Sequence, residues 1–177
     1  VRHVNGPAAS AGVREGMGVA EAVARLADLP ASVTPVATPV ADPGAAERII
    51  EAGPPAVLLL DSAAAVGEAH TGAVVITGSH GGAAHGRALD ARVLAAVFND
   101  AGIGKDRAGV GRLPILDAQG VIGLAVAHTT ARIGDAEDTW ACGVVSVVNE
   151  TAAAAGLRAG DTVRASVARI IERRSDG

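Results

Sequence analysis

Ala73-Val74-Val75-Ile76-Thr77-Gly78-Ser79-His80-Gly81-Gly82 is the stretch on which the fold turns. Its first five residues form an unbroken small or β-branched run, and a glycine-flanked Ser-His pair follows. A continuous run, as opposed to an alternating one, is the pattern of a strand buried on both faces of a parallel sheet. Three further runs share it: Ala56–Leu60, Val93–Phe98 and Val121–Ala127. Each ends in small or polar residues, Asp61–Ser62, Asn99-Asp100-Ala101-Gly102 and His128-Thr129-Thr130 respectively. The segment Asp106–Ala118 is long enough for a crossover helix despite Pro114, whereas Ser62–Gly72 is only marginally so. A three-layer α/β domain follows, with a mostly parallel sheet of four or five strands.

Outward from this block the pattern changes. Residues 1–17 carry no sustained period and read as an irregular lead-in to a single domain spanning residues 1–177. Val19, Val23, Leu26 and Leu29 have helical spacing over Gly18–Leu29, and Pro30 stops the helix. The proline-rich Pro30–Pro43 reads as an edge strand near Ser32–Ala37 and an extended link. Gly44–Ala52 reads as helix, ended by Gly53-Pro54-Pro55. Glu137–Ala155 reads as a helix with Gly156 as its C-cap, although the β-branched run Val144–Val148 leaves a strand open. Asp161 reads as the N-cap of a helix over Thr162–Arg174.

Composition narrows the function classes. The 177 residues are 49% hydrophobic and 19% charged, enough apolar surface for a core. One Phe, one Trp and no Tyr, with a net charge of −4, exclude an aromatic stacking platform and a basic phosphate-binding face. One cysteine excludes an internal disulfide. The central apolar runs fall far short of a membrane span, and the first twenty residues lack the pattern of a signal peptide. These features predict a soluble cytoplasmic protein that binds neither nucleic acid nor membrane. Homo-oligomerisation through Ala-rich helices is one way for such an aromatic-poor chain to gain burial.

Ligands of parallel α/β sheets bind beyond the carboxyl ends of the strands, so the polar strand ends predict a common rim. Ser79 sits between small residues at Thr77, Gly78, Gly81 and Gly82, as a nucleophile elbow requires, with Thr77 replacing the usual glycine. The amides that follow Ser79 are the expected oxyanion donors. A hydrophobic strand ending in His80-Gly81, followed by a second strand with a polar end, resembles the caspase-like and gingipain-like cysteine peptidases. The resemblance implies a doubly wound sheet, flavodoxin-like or caspase-like, with His80 at the position of the family's histidine. Phe98-Asn99-Asp100-Ala101 stands where that family has its cysteine, so peptidase activity is not implied.

In Asn99-Asp100-Ala101-Gly102-Ile103-Gly104-Lys105-Asp106, Gly102 and Gly104 permit the close backbone approach of an anion-binding turn. Asp106 stands where a Walker A motif needs Ser or Thr, so ATP hydrolysis is not expected. Lys105 is the only lysine among 15 basic residues, and an ammonium, unlike a guanidinium, can lose its proton when desolvated. His128 is a candidate acid or base, Arg132 a candidate carboxylate clamp, and Thr129 and Thr130 line the same rim. Cys142 reads as a core residue, and His3 and His70 belong to no constellation. The spacing of His80 and His85, with Asp100 and His128, suits no familiar metal motif, so neither metal nor cofactor is expected.

The expected activity is hydrolysis of an amide or similar carbonyl in a small, anionic substrate. Ser79 is the nucleophile, with His80, His128 or Lys105 as base and Asp100 as orienter. Gly78, Gly81, Gly82, Asn99, Gly102, Gly104, Thr129, Thr130 and Arg132 shape the substrate site. The alternatives are a lyase or isomerase using Asp/His proton transfer, and a non-catalytic small-ligand-binding subunit.

Overall fold

The computed structural model describes residues 1–27, 47–83 and 89–175. The chain divides into two compact units, Val1–Ala41 and Asp42–Gly177. In the first, α1 (Gly6–Ser10) replaces part of the expected irregular lead-in. Asn5 caps it by accepting the Ala8 amide at 3.0 Å, and Pro7 occupies the first turn, where a missing N–H costs no bond. α2 (Val19–Ala27) follows, as the spacing of Val19, Val23 and Leu26 predicts.

The second unit holds a six-stranded sheet: β1 (Arg48–Glu51), β2 (Val57–Leu60), β3 (Val74–His80), β4 (Ala95–Asn99), β5 (Ile122–Val126) and β6 (Val145–Val148). Strands β2 to β5 are parallel and coincide with the four apolar runs, while β1 and β6 pair antiparallel at the two edges. The sheet therefore has six strands where four or five were expected. The order β1-β2-β3-β4-β5-β6 follows the chain, without the reversal of a doubly wound sheet. Right-handed connections between successive parallel neighbours all fall on one face. Val66, Val110, Leu113 and Leu116 from the connections accordingly pack on Leu58, Leu60, Val75, Ala96 and Phe98. The opposite face, Leu59, Ile76, Val97, Leu124 and Val126, is covered by α4 (Ala136–Cys142), α5 (Glu150–Ala154) and α6 (Val163–Ser175). Burial on both faces is why these strands read as continuous apolar runs.

Four local expectations give way in the folded chain. Residues 48–51, expected as helix, form β1 because the open edge of β2 carries backbone groups that need partners. The expected helix over 137–155 breaks into α4, β6 and α5. Gly143 ends α4 where a Cβ would overlap the Thr139 carbonyl, and the β-branched run becomes the edge strand. The expected crossover helix splits into a 3-10 stretch, Lys105–Val110, and α3 (Leu113–Asp117), whose first turn takes Pro114. The hydroxyl of Thr162 accepts the Ala165 amide at 3.2 Å and so caps α6, while Asp161 pairs with Arg169 at 2.8 Å. The strand expected near Ser32–Ala37 lies outside the described residues. Among the described residues no helix is long and apolar enough to cross a membrane.

Candidate active site

The carboxyl end of β4 carries Asp100 into a dense set of donors. Asp100 Oδ1 accepts the Gly102 amide at 2.8 Å, the His128 amide at 3.0 Å and His128 Nδ1 at 3.1 Å. Its Oδ2 accepts the Ser146 hydroxyl at 2.8 Å. Asp100 is buried, whereas the His128 side chain is 54% exposed. Burial pushes the Asp100 carboxyl up, but hydrogen bonds from Gly102, Ser146, the His128 amide and the His128 ring outweigh it, so its pKa lies below the ordinary value. An ionised carboxylate can only accept, so His128 Nδ1 carries the proton and Nε2 is left as a base. Among the described residues Nε2 has no hydrogen-bond partner.

Local sequence explains the geometry. Gly102 lies against the imidazole, where a Cβ would stand 3.4 Å from Cε1 and 3.8 Å from Nε2. Its φ of +71 belongs to a run of left-handed residues, Ala101 (φ 48), Gly102, Ile103 (φ 63) and Gly104 (φ 69). A β-branched residue at positive φ is strained. The turn holds because Ala101 donates to Asn99 Oδ1, Gly102 to Asp100 Oδ1 and Ile103 to the Asp100 carbonyl. Ser146 owes its direction to a bulge: the β5–β6 register slips between Ala125 and Val126, leaving Ser146 as the extra residue of β6. Sequence reasoning missed it. The one available signal was a lone hydroxyl inside Val144-Val145-Ser146-Val147-Val148.

The other expected site residues have other partners. Ser79 Oγ accepts the Ala63 amide at 2.8 Å. The Gly81 amide donates to the Asn99 carbonyl at 2.9 Å and the Gly82 amide to His80 Nδ1 at 3.0 Å, so neither is aimed at an oxyanion. Gly78 is roofed by the loop between β5 and α4: its carbonyl accepts the Gly134 amide at 2.7 Å, and a Cβ there would overlap the backbone of Gly134 and Asp135. Thr77 is a threonine because its hydroxyl donates to the Val97 carbonyl at 2.9 Å. Asn99 is fully buried and ties β4 to the Ala131 carbonyl at 3.0 Å. Thr130 bridges the Ala127 carbonyl and the Val144 amide, and Thr129 is exposed.

Gly104 faces open space, and Lys105 is exposed with no partner among the described residues. Arg132 is 75% exposed and pairs with Asp135 at 3.1 Å. It borders a 470 Å³ cleft in which Arg48 is likewise paired, with Glu137. Cys142 is exposed at the end of α4, not in the core, and its bond to Asp138 pushes the thiol up, away from thiolate chemistry. His85 lies outside the described residues, and among those described no three metal-binding side chains gather. His70 is buried, with Nε2 3.2 Å from Glu47.

The depressed Asp100 fixes a pH signature. A carboxylate favoured by the fold stabilises it above its unfolded pKa, and that contribution disappears as pH falls through the folded value. The stability difference between wild type and Asp100→Asn, read from urea midpoints, should be flat from neutral pH to about 5 and shrink below about 4. A difference that instead grows on acidification would show that the carboxylate is not held in its charged form.

No protein-family model, curated protein or solved structure matches the chain.

Proposed function

We propose that this chain is a general acid–base enzyme acting on a small polar molecule through His128, with the chemistry of a lyase or isomerase. The observation that carries the reading is the grip on Asp100. Four donors hold one buried carboxylate, and the only one of them that reaches solvent as a titratable group is the ring of His128. A carboxylate behind Nδ1 fixes the tautomer and balances the positive charge that forms when Nε2 takes a proton. In the forward step Nε2 accepts a proton from a substrate C–H or O–H. In the return step the same nitrogen delivers it to the rearranged product or to a leaving group. His80 stands two strands away on the same edge, about 10 Å at ordinary strand spacing. Its Nδ1 accepts from Gly82, which leaves a protonated Nε2 as a donor across the rim.

The test is proton exchange. Incubation in D2O with a panel of small hydroxy and oxo acids should show enzyme-dependent loss of a substrate C–H signal. His128→Gln should slow it by about 10²–10⁴-fold. Exchange at the wild-type rate in His128→Gln would sink the role of His128.

Ser79→Ala separates this reading from a serine hydrolase. Loss of the acceptor for the Ala63 amide should cost about 1–2 kcal/mol in stability, with kcat unchanged within a few fold. A kcat drop of about 10³ or more would restore Ser79 as nucleophile.

A further inference from the structure

Arg112 is the one described residue with a charged side chain whose buried polar atoms go without hydrogen bonds. Its Nε and Nη1 are enclosed, and neither has a partner among the described residues. Its Cζ lies 5.0 Å from the centre of the Phe98 ring. Burial pushes its pKa down, and among the described residues no carboxylate offsets that effect. An ion removed from water without a counter-ion is costly, and attraction to an aromatic face offsets only part of that cost. A methionine or leucine would cover Phe98 without it.

The surroundings connect this group to the rim. The Arg112 amide donates to the Gly81 carbonyl at 2.8 Å, and the Gly81 amide donates to the Asn99 carbonyl, so the turn at 81–82 is stitched between the end of β4 and the start of α3. That turn consists of glycines because it passes directly over the 105–110 stretch. A Cβ on Gly81 would stand 3.0 Å from the Gly109 carbonyl oxygen, and one on Gly82 would stand 2.8 Å from that of Ala108. Phe98 lies within β4 and Asp100 directly follows it, two residues on and about 7 Å along the chain. Arg112 as a residue is only half-buried, and Nη2 is not among its enclosed atoms, so a ligand approaches the fork from that nitrogen.

We infer that Arg112 is an anion-recognition residue, whose missing partner is the carboxylate or phosphoryl group of a small-molecule ligand. A guanidinium suits either group, because its fixed fork of donors matches two oxygens at once. Assigning that anion to the substrate of His128 rests on the acid–base reading; the binding itself does not.

The experiment is thermal unfolding of the whole chain, titrated with inorganic phosphate and separately with acetate, at constant ionic strength. Wild type should show a saturable rise in Tm of several degrees at roughly a hundredfold excess over Kd with at least one of the two. The anion that acts tells phosphoryl from carboxylate recognition. Arg112→Met should lose that response while being at least as stable as wild type without ligand, since it removes an uncompensated buried charge. A flat wild-type titration, or an equal rise in both proteins, overturns the inference. So does an Arg112→Met protein that folds but is less stable than wild type without anion.

Should Arg112→Met not fold, the wild-type protein still decides. Its Arg112 Nε–H resonance, assigned through Arg112→Lys, must move on addition of the effective anion, and an unmoved resonance rejects the site. His128→Gln should retain the full anion response. Lost anion binding with His128-dependent turnover intact would reject Arg112 alone. Retained anion binding without His128-dependent turnover would reject the acid–base reading alone.

Discussion

Asp100→Asn should leave the fold standing and reduce turnover by about 10³–10⁴-fold, the scale seen when the carboxylate behind a catalytic histidine becomes an amide. The substitution is nearly isosteric. Its amide oxygen can still accept from the Gly102 and His128 amides and from Nδ1, and the Ser146 hydroxyl can rotate to accept from the new NH2. What disappears is the negative charge behind the ring. Asp100→Ala is a different experiment. It takes the acceptor from the Gly102 and His128 amides at once and leaves the Ser146 hydroxyl only the Ala125 carbonyl at 3.2 Å, and should cost about 3–5 kcal/mol in urea unfolding. If Asp100→Asn turns over normally, the carboxylate serves only to tie β4 to β5 and β6. If Asp100→Ala is as stable as wild type, the hydrogen bonds themselves carry little.

Gly109→Ala should be the most damaging glycine replacement near the site. Its added methyl would overlap the Asp100 carbonyl oxygen, and it would stand 3.2 Å from the Asp100 carbonyl carbon and 3.1 Å from the Ile103 oxygen. These are backbone atoms already engaged: Ile103 donates to the Asp100 carbonyl, and Gly109 to the Ile103 carbonyl, both at 2.7 Å. No rotamer relieves the contact, so the turn must open and move Asp100. A loss of about 3 kcal/mol or more is expected, at the upper end of overpacking effects, together with a fall in kcat. Gly104→Ala is the matched comparison. It meets nothing within 4 Å, and its φ of +69 with ψ of −179, a conformation essentially confined to glycine, leaves only backbone strain, about 1–3 kcal/mol. Equal effects of the two on stability and turnover would show that packing against Asp100 is unimportant.

Much of the site was legible at the level of residue type. Asp100 and His128 end two apolar runs, where a carboxylate and an imidazole stand out from their neighbours. Ser79 was equally conspicuous, but the partner of its Oγ, the Ala63 amide sixteen residues away, is announced by no local pattern. Gly78, Gly81 and Gly82 were expected to flank a nucleophile and shape the substrate site, and what approaches them is the chain's own backbone at Gly134 and Asp135 and at 108–110. Arg132 went to Asp135, three residues on, the short-range pair that exposed charges on one loop commonly make.

The sequence by itself determined the four central strands, because a segment buried on both faces must be apolar at every position, and that pattern survives without its neighbours. It also determined that polar residues cap those strands at one edge. Only the tertiary structure decided the outer strands. All four residues of β1 are exposed and become a strand through the hydrogen bonds that β2 leaves open. It alone decided that Ser146 reaches Asp100, since a bulge is a property of two strands in register. Likewise, whether a guanidinium such as that of Arg112 finds a counter-ion depends on what the folded chain brings beside it.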